Sequence, residues 1–108
     1  EASAEVHWRA MELPPGFILV AAKLELLTDA ALPRHHIVYT DGLATVSVFV
    51  DVTVAASEQA EGMSKIGAAN AYSTIHDGRL VTAVGQVPLR TVQMMSLSVR
   101  PVQGKFND

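Results

Sequence analysis

Cysteine is absent from this chain of 108 residues, which excludes a disulfide framework and thiolate metal sites but leaves the cellular compartment open. Basic residues are also few, since eight Lys and Arg stand against eleven Asp and Glu, for a net charge of −3. This charge gives no basic footprint for phosphate backbones, so nucleic acid is disfavoured as a partner. The longest apolar run is cut off by Lys23, far short of the roughly 20 residues of a membrane span.

Motifs that carry catalysis are missing as well: there is no Gly-rich phosphate loop, nucleophile elbow or dinucleotide fingerprint. His35 and His36 are adjacent, so on a strand they point to opposite faces and cannot share a metal ion. Ser47 and Ser73 have no histidine placed to activate them in the sequence. We therefore predict a protein that is not an enzyme and uses no cofactor and no metal.

Length and composition predict one domain over residues 1–108, because typical domains have roughly 100–150 residues. The chain is 49% apolar and 18% charged, against about 25% charged in an ordinary soluble domain, which indicates a covered face. Residues 1–6 and 104–108 have the composition of a linker and a tail. Since the chain starts at Glu1 rather than Met, we expect it to be part of something longer.

Two Asp-Gly dipeptides predict two β-hairpins. Residues 35–40 and 43–54 flank Asp41-Gly42, and residues 66–75 and 80–87 flank His76-Asp77-Gly78-Arg79. Asp-Gly favours two-residue type I′ turns, in which Asp tolerates positive φ and bonds its own backbone. We therefore interpret both aspartates as turn residues rather than as paired catalytic carboxylates.

The remaining segments give weaker signals. Residues 7–10 read as a short strand before the turn at Pro14-Pro15-Gly16, and residues 18–27 begin as a strand. Residues 28–34 and 55–65 carry turn formers or polar residues and read as loops.

Periodicity assigns the faces of these elements. In the strand after Asp41-Gly42, one face carries Ala44, Val46, Val48, Val50 and Val52, and the other carries Thr45, Ser47, Phe49 and Asp51. Residues 88–99 predict a helix that starts at Pro88, stops before Pro101 and lays an apolar stripe on the valine face. The predicted fold class is α+β, an antiparallel sheet of about four to six strands built from hairpins, with a C-terminal helix packed on one face.

Several blocks of the sequence together resemble a known family. They are Leu13-Pro14-Pro15-Gly16-Phe17, then residues 36–50 (HIVYTDGLATVSVFV), then Gly67-Ala68-Ala69-Asn70-Ala71-Tyr72, and finally residues 81–88 (VTAVGQVP) with Thr91-Val92. In combination these blocks resemble the small C-terminal domain of the MucB/RseB proteins of Gram-negative bacteria. Ala83 and Gln86 depart mildly from the family pattern.

The resemblance implies a role for the domain. MucB/RseB proteins are periplasmic negative regulators of the envelope-stress sigma factor, and they bind the periplasmic part of a RseA/MucA-type anti-sigma factor and shield it from the site-1 protease. The resemblance thus implies two partners: this anti-sigma segment and the family's own N-terminal lipid-sensing domain, which this chain does not include. The structural alternative is a module that only positions or oligomerises the lipid-sensing domain, and homo-oligomerisation stays open.

The candidate partner-binding residues come from physical inference, because the family's contacts form no short motif. A helix on one sheet face leaves the Thr45, Ser47 and Phe49 face open for docking. Phe49 is either packed under a loop or part of an exposed patch. The complete candidate set is Tyr39, Thr45, Ser47, Phe49, Arg79 and Arg90, in which tyrosine and arginine supply polar anchors.

Overall fold

A computed structural model describes residues 6–26, 33–52 and 60–103 of the chain. The described elements, in chain order, are β1 (Val6–Ala10), β2 (Ile18–Leu26), β3 (Pro33–Thr40), β4 (Thr45–Asp51), β5 (Gly62–Ile66), β6 (Ala69–His76), β7 (Arg79–Gly85), α1 (Leu89–Leu97) and β8 (Val99–Gln103). The predicted linker and tail lie outside the described residues, except for Val6, which is the first residue of β1.

The strands form two antiparallel sheets. The larger one has six strands in the order β2-β3-β4-β7-β6-β5, and β1 pairs with β8 in a two-stranded ribbon. The α+β class, the antiparallel sheet and the C-terminal helix are therefore confirmed, with the strand number of the main sheet at the upper end of the predicted range.

The second predicted hairpin is confirmed. His76 pairs with Arg79, so Asp77 and Gly78 form a two-residue turn between β6 and β7. Their φ angles are 54° and 78°. Positive φ at both central positions is what a type I′ turn requires.

The first hairpin forms, but its predicted turn is wrong. Thr40 pairs with Thr45, so four residues separate β3 from β4. Gly42 has a φ of 95° whereas Asp41 does not have a positive φ. The carboxylate of Asp41 accepts hydrogen bonds from the backbone N–H groups of Leu43 and Ala44, at 2.9 and 2.8 Å. This side-chain cap replaces the tighter turn and holds the pKa of Asp41 below its ordinary value.

Two predicted loops are partly wrong. Pro33 and Arg34 belong to β3, and Gly62–Ile66 forms the exposed strand β5, which pairs with β6. Residues 28–32 of the first loop and 55–59 of the second lie outside the described residues. By contrast, β2 is strand throughout Ile18–Leu26. The sequence signal for β5 is weak because most of its side chains are exposed.

The core lies between one face of the large sheet and a layer made of α1 and the β1–β8 ribbon. The valine face is confirmed as buried, with Val46, Val48 and Val50 fully inaccessible. From the helix, Val92 and Met95 pack into the same cluster. Burying such side chains contributes about 1.5–3 kcal/mol each, so this contact fixes the helix on the sheet.

The ribbon ties the two ends of the described chain to this core. Trp8 lies opposite Pro101, and Ala10 lies opposite Val99, with Trp8, Ala10 and Val99 all buried. The sequence reading identified β1 but missed β8, because Pro101 argued only for the end of the helix. A proline is tolerated here since the ribbon has just two strands and its outer edge needs no N–H donor.

Candidate functional site

The opposite face of the large sheet is the candidate site, and we call it the outer face. It presents Thr45, Ser47 and Phe49 from β4, with Arg34 and His36 beside them on β3. The core cluster draws all its members from the other face or from the layer that covers it. Within residues 6–26, 33–52 and 60–103, neither α1 nor the ribbon packs on the outer face.

Phe49 lies at the centre of the outer face and is half-buried. The ring of His36 stacks on it with centroids 4.4 Å apart and an interplanar angle of 27°. The guanidinium carbon of Arg34 lies 4.1 Å from the centre of the same ring. Cross-strand neighbours thus cover part of the Phe49 ring and leave the rest of it exposed.

A polar network surrounds this aromatic centre. Glu25 on β2 accepts a hydrogen bond from Arg34 Nε at 3.3 Å, and its other oxygen lies 2.8 Å from His36 Nδ1. Lys23 Nζ approaches the same carboxylate at 3.6 Å. The hydrogen bond with His36 and then the one with Arg34 hold the pKa of Glu25 below its ordinary value. This carboxylate therefore stays ionised and orients both neighbours.

His36 also reaches Ser47, with 3.1 Å between Nε2 and Oγ. The expectation that no histidine lies near Ser47 is therefore wrong, because the pairing of β3 with β4 brings the two side chains together. Glu25, His36 and Ser47 form a carboxylate–imidazole–hydroxyl relay of the kind that activates nucleophiles. Acyl transfer also needs oxyanion donors and a substrate cavity. The described residues form three cavities: two that share Trp8 and His35, and one beside Met94 and Leu97 of α1. Ser47 lines none of these three.

The other candidate residues do not converge on the outer face. Tyr39 lies in the core, 2% exposed, and its hydroxyl accepts a hydrogen bond from Ala10 N at 2.8 Å, so it is no surface anchor. Arg79 Nε donates to the carbonyl of Val52 at 2.9 Å, and its guanidinium lies 5.6 Å from the Trp8 ring. Arg90 is exposed in the first turn of α1.

Sequence reasoning missed Glu25, Arg34 and His36, which complete the outer face. Of these three, only His36 could have been found from the sequence. It lies two residues from Val38 on a predicted strand, so the two side chains point to the same face, and Val38 pairs with Ser47 on the outer face. The predicted divergence of His35 and His36 is confirmed, since His35 lies on the core face opposite Val50. In the described ranges, no three His, Asp or Glu side chains converge as metal ligands would. No described helix has the length and apolarity that a membrane crossing demands.

The fold and the outer face define a small α+β domain in which the described helix and ribbon cover one face of the large sheet and leave the other uncovered. The MucB/RseB C-terminal domain family matches residues 2–100. The chain belongs to this family.

Individual relatives agree with the family assignment. The chain is 36% identical over 100 residues to the sigma factor AlgU regulatory protein MucB of Pseudomonas aeruginosa, which covers 89% of this chain and 31% of that protein. It is 32% identical over 100 residues to the sigma-E factor regulatory protein RseB of Haemophilus influenzae, covering 93% of this chain and 31% of the relative. The chain thus spans about a third of the length of these proteins.

A solved structure shares the fold. The crystal structure of MucB in complex with MucA(peri) superposes with a TM-score of 0.74 at 36% identity, covering 87% of this chain and 36% of that one. A second complex, of Pseudomonas aeruginosa MucA and MucB, gives a TM-score of 0.72.

Proposed function

We propose that this chain is the non-catalytic, partner-binding module of a periplasmic regulator of the MucB/RseB type. Its partner is the periplasmic part of a MucA/RseA-type anti-sigma factor. Binding protects that segment from site-1 proteolysis and so restrains the envelope-stress response. The observation that carries this proposal is the likeness, over 87% of the chain, to a MucB that was crystallised with MucA(peri).

The outer face is the proposed contact surface. Its centre is an aromatic ring flanked by a cation, a combination enriched at protein interfaces. The network around Glu25 holds Arg34 and His36 in place, so little side-chain entropy is lost when a partner docks. Thr45 is exposed at the end of the same face and forms part of its rim.

The test is a calorimetric titration of the chain with the periplasmic segment of its anti-sigma factor. We expect saturable binding that Phe49→Asp weakens by about tenfold or more, because the change removes an interface-centre aromatic and adds a charge. Thr45→Glu, at an exposed position, is the milder variant. Leu43→Asp is the matched control, since Leu43 is 98% exposed in the β3–β4 turn.

A protection assay tests the second part of the proposal. Site-1 protease should cleave the free anti-sigma segment faster than the segment bound to this chain. Binding without protection would limit the role to anchoring. If the wild-type chain shows no binding but sediments as an oligomer, the module is structural and supports the rest of a longer regulator.

Covalent labelling tests the non-catalytic assignment. A fluorophosphonate reagent should not label Ser47 faster than it labels a Ser47→Ala control, since Ser47 lines none of the three described cavities. Stoichiometric labelling at Ser47 would show that the Glu25–His36 relay activates the hydroxyl.

A further inference from the structure

A second surface lies on the core side of the sheet, where the covering layer stops short of its edge. Helix α1 packs mainly on β6 and β7, and β1 makes its contacts with the sheet at β3. The core side of β2 is therefore left open by the described elements. Leu24 pairs with the core-facing His35, yet Leu24 is 57% exposed.

This opening forms a cavity of about 360 Å³ between β1 and β2 with β3 as its floor. Its apolar part consists of Ala22, Leu24 and Ile37, and its polar part of His7, Arg9 and His35. Lys23 also lines it, but the Lys23 ammonium pairs with Glu25 on the outer face. A second cavity of about 320 Å³ shares Trp8 and His35 with the first and extends to Arg79. We call the two together the cationic groove.

The charge of the cationic groove opposes that of the whole chain. No carboxylate of the described residues lines the first cavity, and Asp77 alone lines the far end of the second. The chain carries eleven acidic residues and a net charge of −3. Burial, followed by the charge of Arg79, lowers the pKa of His35.

The edge of the sheet favours an extended ligand. Among the described strands β2 is the last in its sheet, so no described strand pairs with its outward N–H and C=O groups. A segment that pairs with β2 places alternate side chains on the groove side. There an apolar side chain meets Leu24 and Ala22, and a carboxylate meets Arg9, whose guanidinium can bind both carboxylate oxygens.

We propose that the cationic groove binds an extended segment of the anti-sigma partner in which apolar and acidic side chains alternate. This deepens and rests on the proposed function, but it uses a surface separate from the outer face. Binding at both surfaces makes the partner wrap around the edge strand β2.

The experiment uses Trp8, the single tryptophan of the chain, which lines both cavities. Its fluorescence is followed while the chain is titrated with an acetylated peptide of alternating Leu and Glu, with the same peptide carrying Gln in place of Glu, and with the anti-sigma segment. We expect the Glu peptide to bind about tenfold tighter than the Gln peptide at low salt and to lose that advantage at high salt.

Variants locate the binding. Leu24→Asp, at an exposed position, should weaken the Glu peptide and the anti-sigma segment by about tenfold or more. Ile66→Asp is the matched control, since Ile66 is 59% exposed on β5 at the opposite end of the sheet. Equal binding of the Glu and Gln peptides, or full binding by Leu24→Asp, would overturn the inference.

The remaining outcomes separate this inference from the proposed function. If Phe49→Asp abolishes binding of the anti-sigma segment while Leu24→Asp does not, the function stands and the groove proposal fails. If the anti-sigma segment does not bind at all, the proposed function fails with the groove assignment. If Leu24→Asp only dissolves a dimer seen by sedimentation, a second copy occupies the groove, and the proposal is again wrong.

Discussion

At the scale of single residues, Tyr39 joins the two sheets. Its ring is buried in the core, and its hydroxyl accepts the backbone N–H of Ala10 on β1. Burial raises the pKa of this phenol above its ordinary value. The residue therefore links β3 to the ribbon. The sequence interpretation had made Tyr39 a candidate partner-binding residue because of its polar hydroxyl group.

Tyr39→Phe tests this link. The change leaves the buried N–H of Ala10 without its acceptor, so we expect it to lower the free energy of unfolding by about 1–3 kcal/mol. Urea denaturation measures the loss. Tyr72→Phe, at a half-buried strand tyrosine, is the control, and an equal loss in both variants would contradict the special role of Tyr39.

Asp51 ends β4 on the outer face, opposite Arg34. Burial raises the pKa of its carboxyl, and the charge of Arg34 opposes this shift without cancelling it. A raised pKa means that folding disfavours the ionised form, so the ionised carboxylate costs stability above the folded pKa. The cost disappears below the ordinary value of 3.8, where both states are protonated.

Asp51→Asn should therefore raise the melting temperature at pH 7, on the order of 2–4 °C. The gain should vanish as the pH falls below about 4, which thermal melts from pH 3 to 8 can follow. Asp77→Asn, at a 72% exposed turn carboxylate, is the matched control. A gain for Asp51→Asn that persists at pH 3 would show that the cause is not ionisation.

At the scale of elements, Gly85 sets how closely β4 and β7 approach. A Cβ atom built there would lie 2.7 Å from the carbonyl oxygen of Thr45 and 2.9 Å from Val46 Cγ2. The atom nearest to this Cβ belongs to the backbone, which cannot move without shifting the whole strand. Glycine is therefore needed here because a side chain has no room, and not because the backbone has a positive φ.

Gly85→Ala should destabilise the fold by about 1–3 kcal/mol, since the two strands must separate around the extra methyl group. Chemical denaturation measures this loss. Gly67→Asn is the contrasting variant, because Gly67 has a φ of 63°, which Asn tolerates, and a Cβ there meets nothing within 4 Å. A loss for Gly67→Asn as large as that for Gly85→Ala would contradict the steric explanation.

At the scale of the whole molecule, the ribbon of β1 and β8 closes the fold by pairing its two ends. Trp8 and Val99 reach the core only through this pairing, and they are 4% and 1% exposed. The ribbon also forms one wall of the cationic groove through His7 and Arg9. Stability and the groove therefore depend on the same long-range contact.

A chain that ends at Ser98 tests this dependence. Loss of β8 should expose the Trp8 side chain and remove Val99, which costs about 3–6 kcal/mol and shifts Trp8 emission to the red. A chain that ends at Gln103 is the control and should keep the blue-shifted emission. Unchanged emission from the chain ending at Ser98 would show that β1 holds its place without its partner.

The limits of the sequence reading follow from the range of each interaction. The Asp77-Gly78 turn was predictable because two adjacent residues fix it. The Asp41 turn was not, since its carboxylate competes for the N–H groups of Leu43 and Ala44 and widens the turn. The wider turn moves the pairing by an even number of residues, so the assignment of Val48 and its neighbours to the core survived.

By itself, the sequence determined the α+β class, the second hairpin, the buried valine face, the helix and the family, because period-two and helical patterns and local turn chemistry act between near neighbours. Only the tertiary structure decided the pairing of β1 with β8, the contact of His36 with Ser47, the burial of Tyr39 and the cationic groove. Each of these joins residues from strands that are distant in sequence or depends on register, which local patterns do not encode.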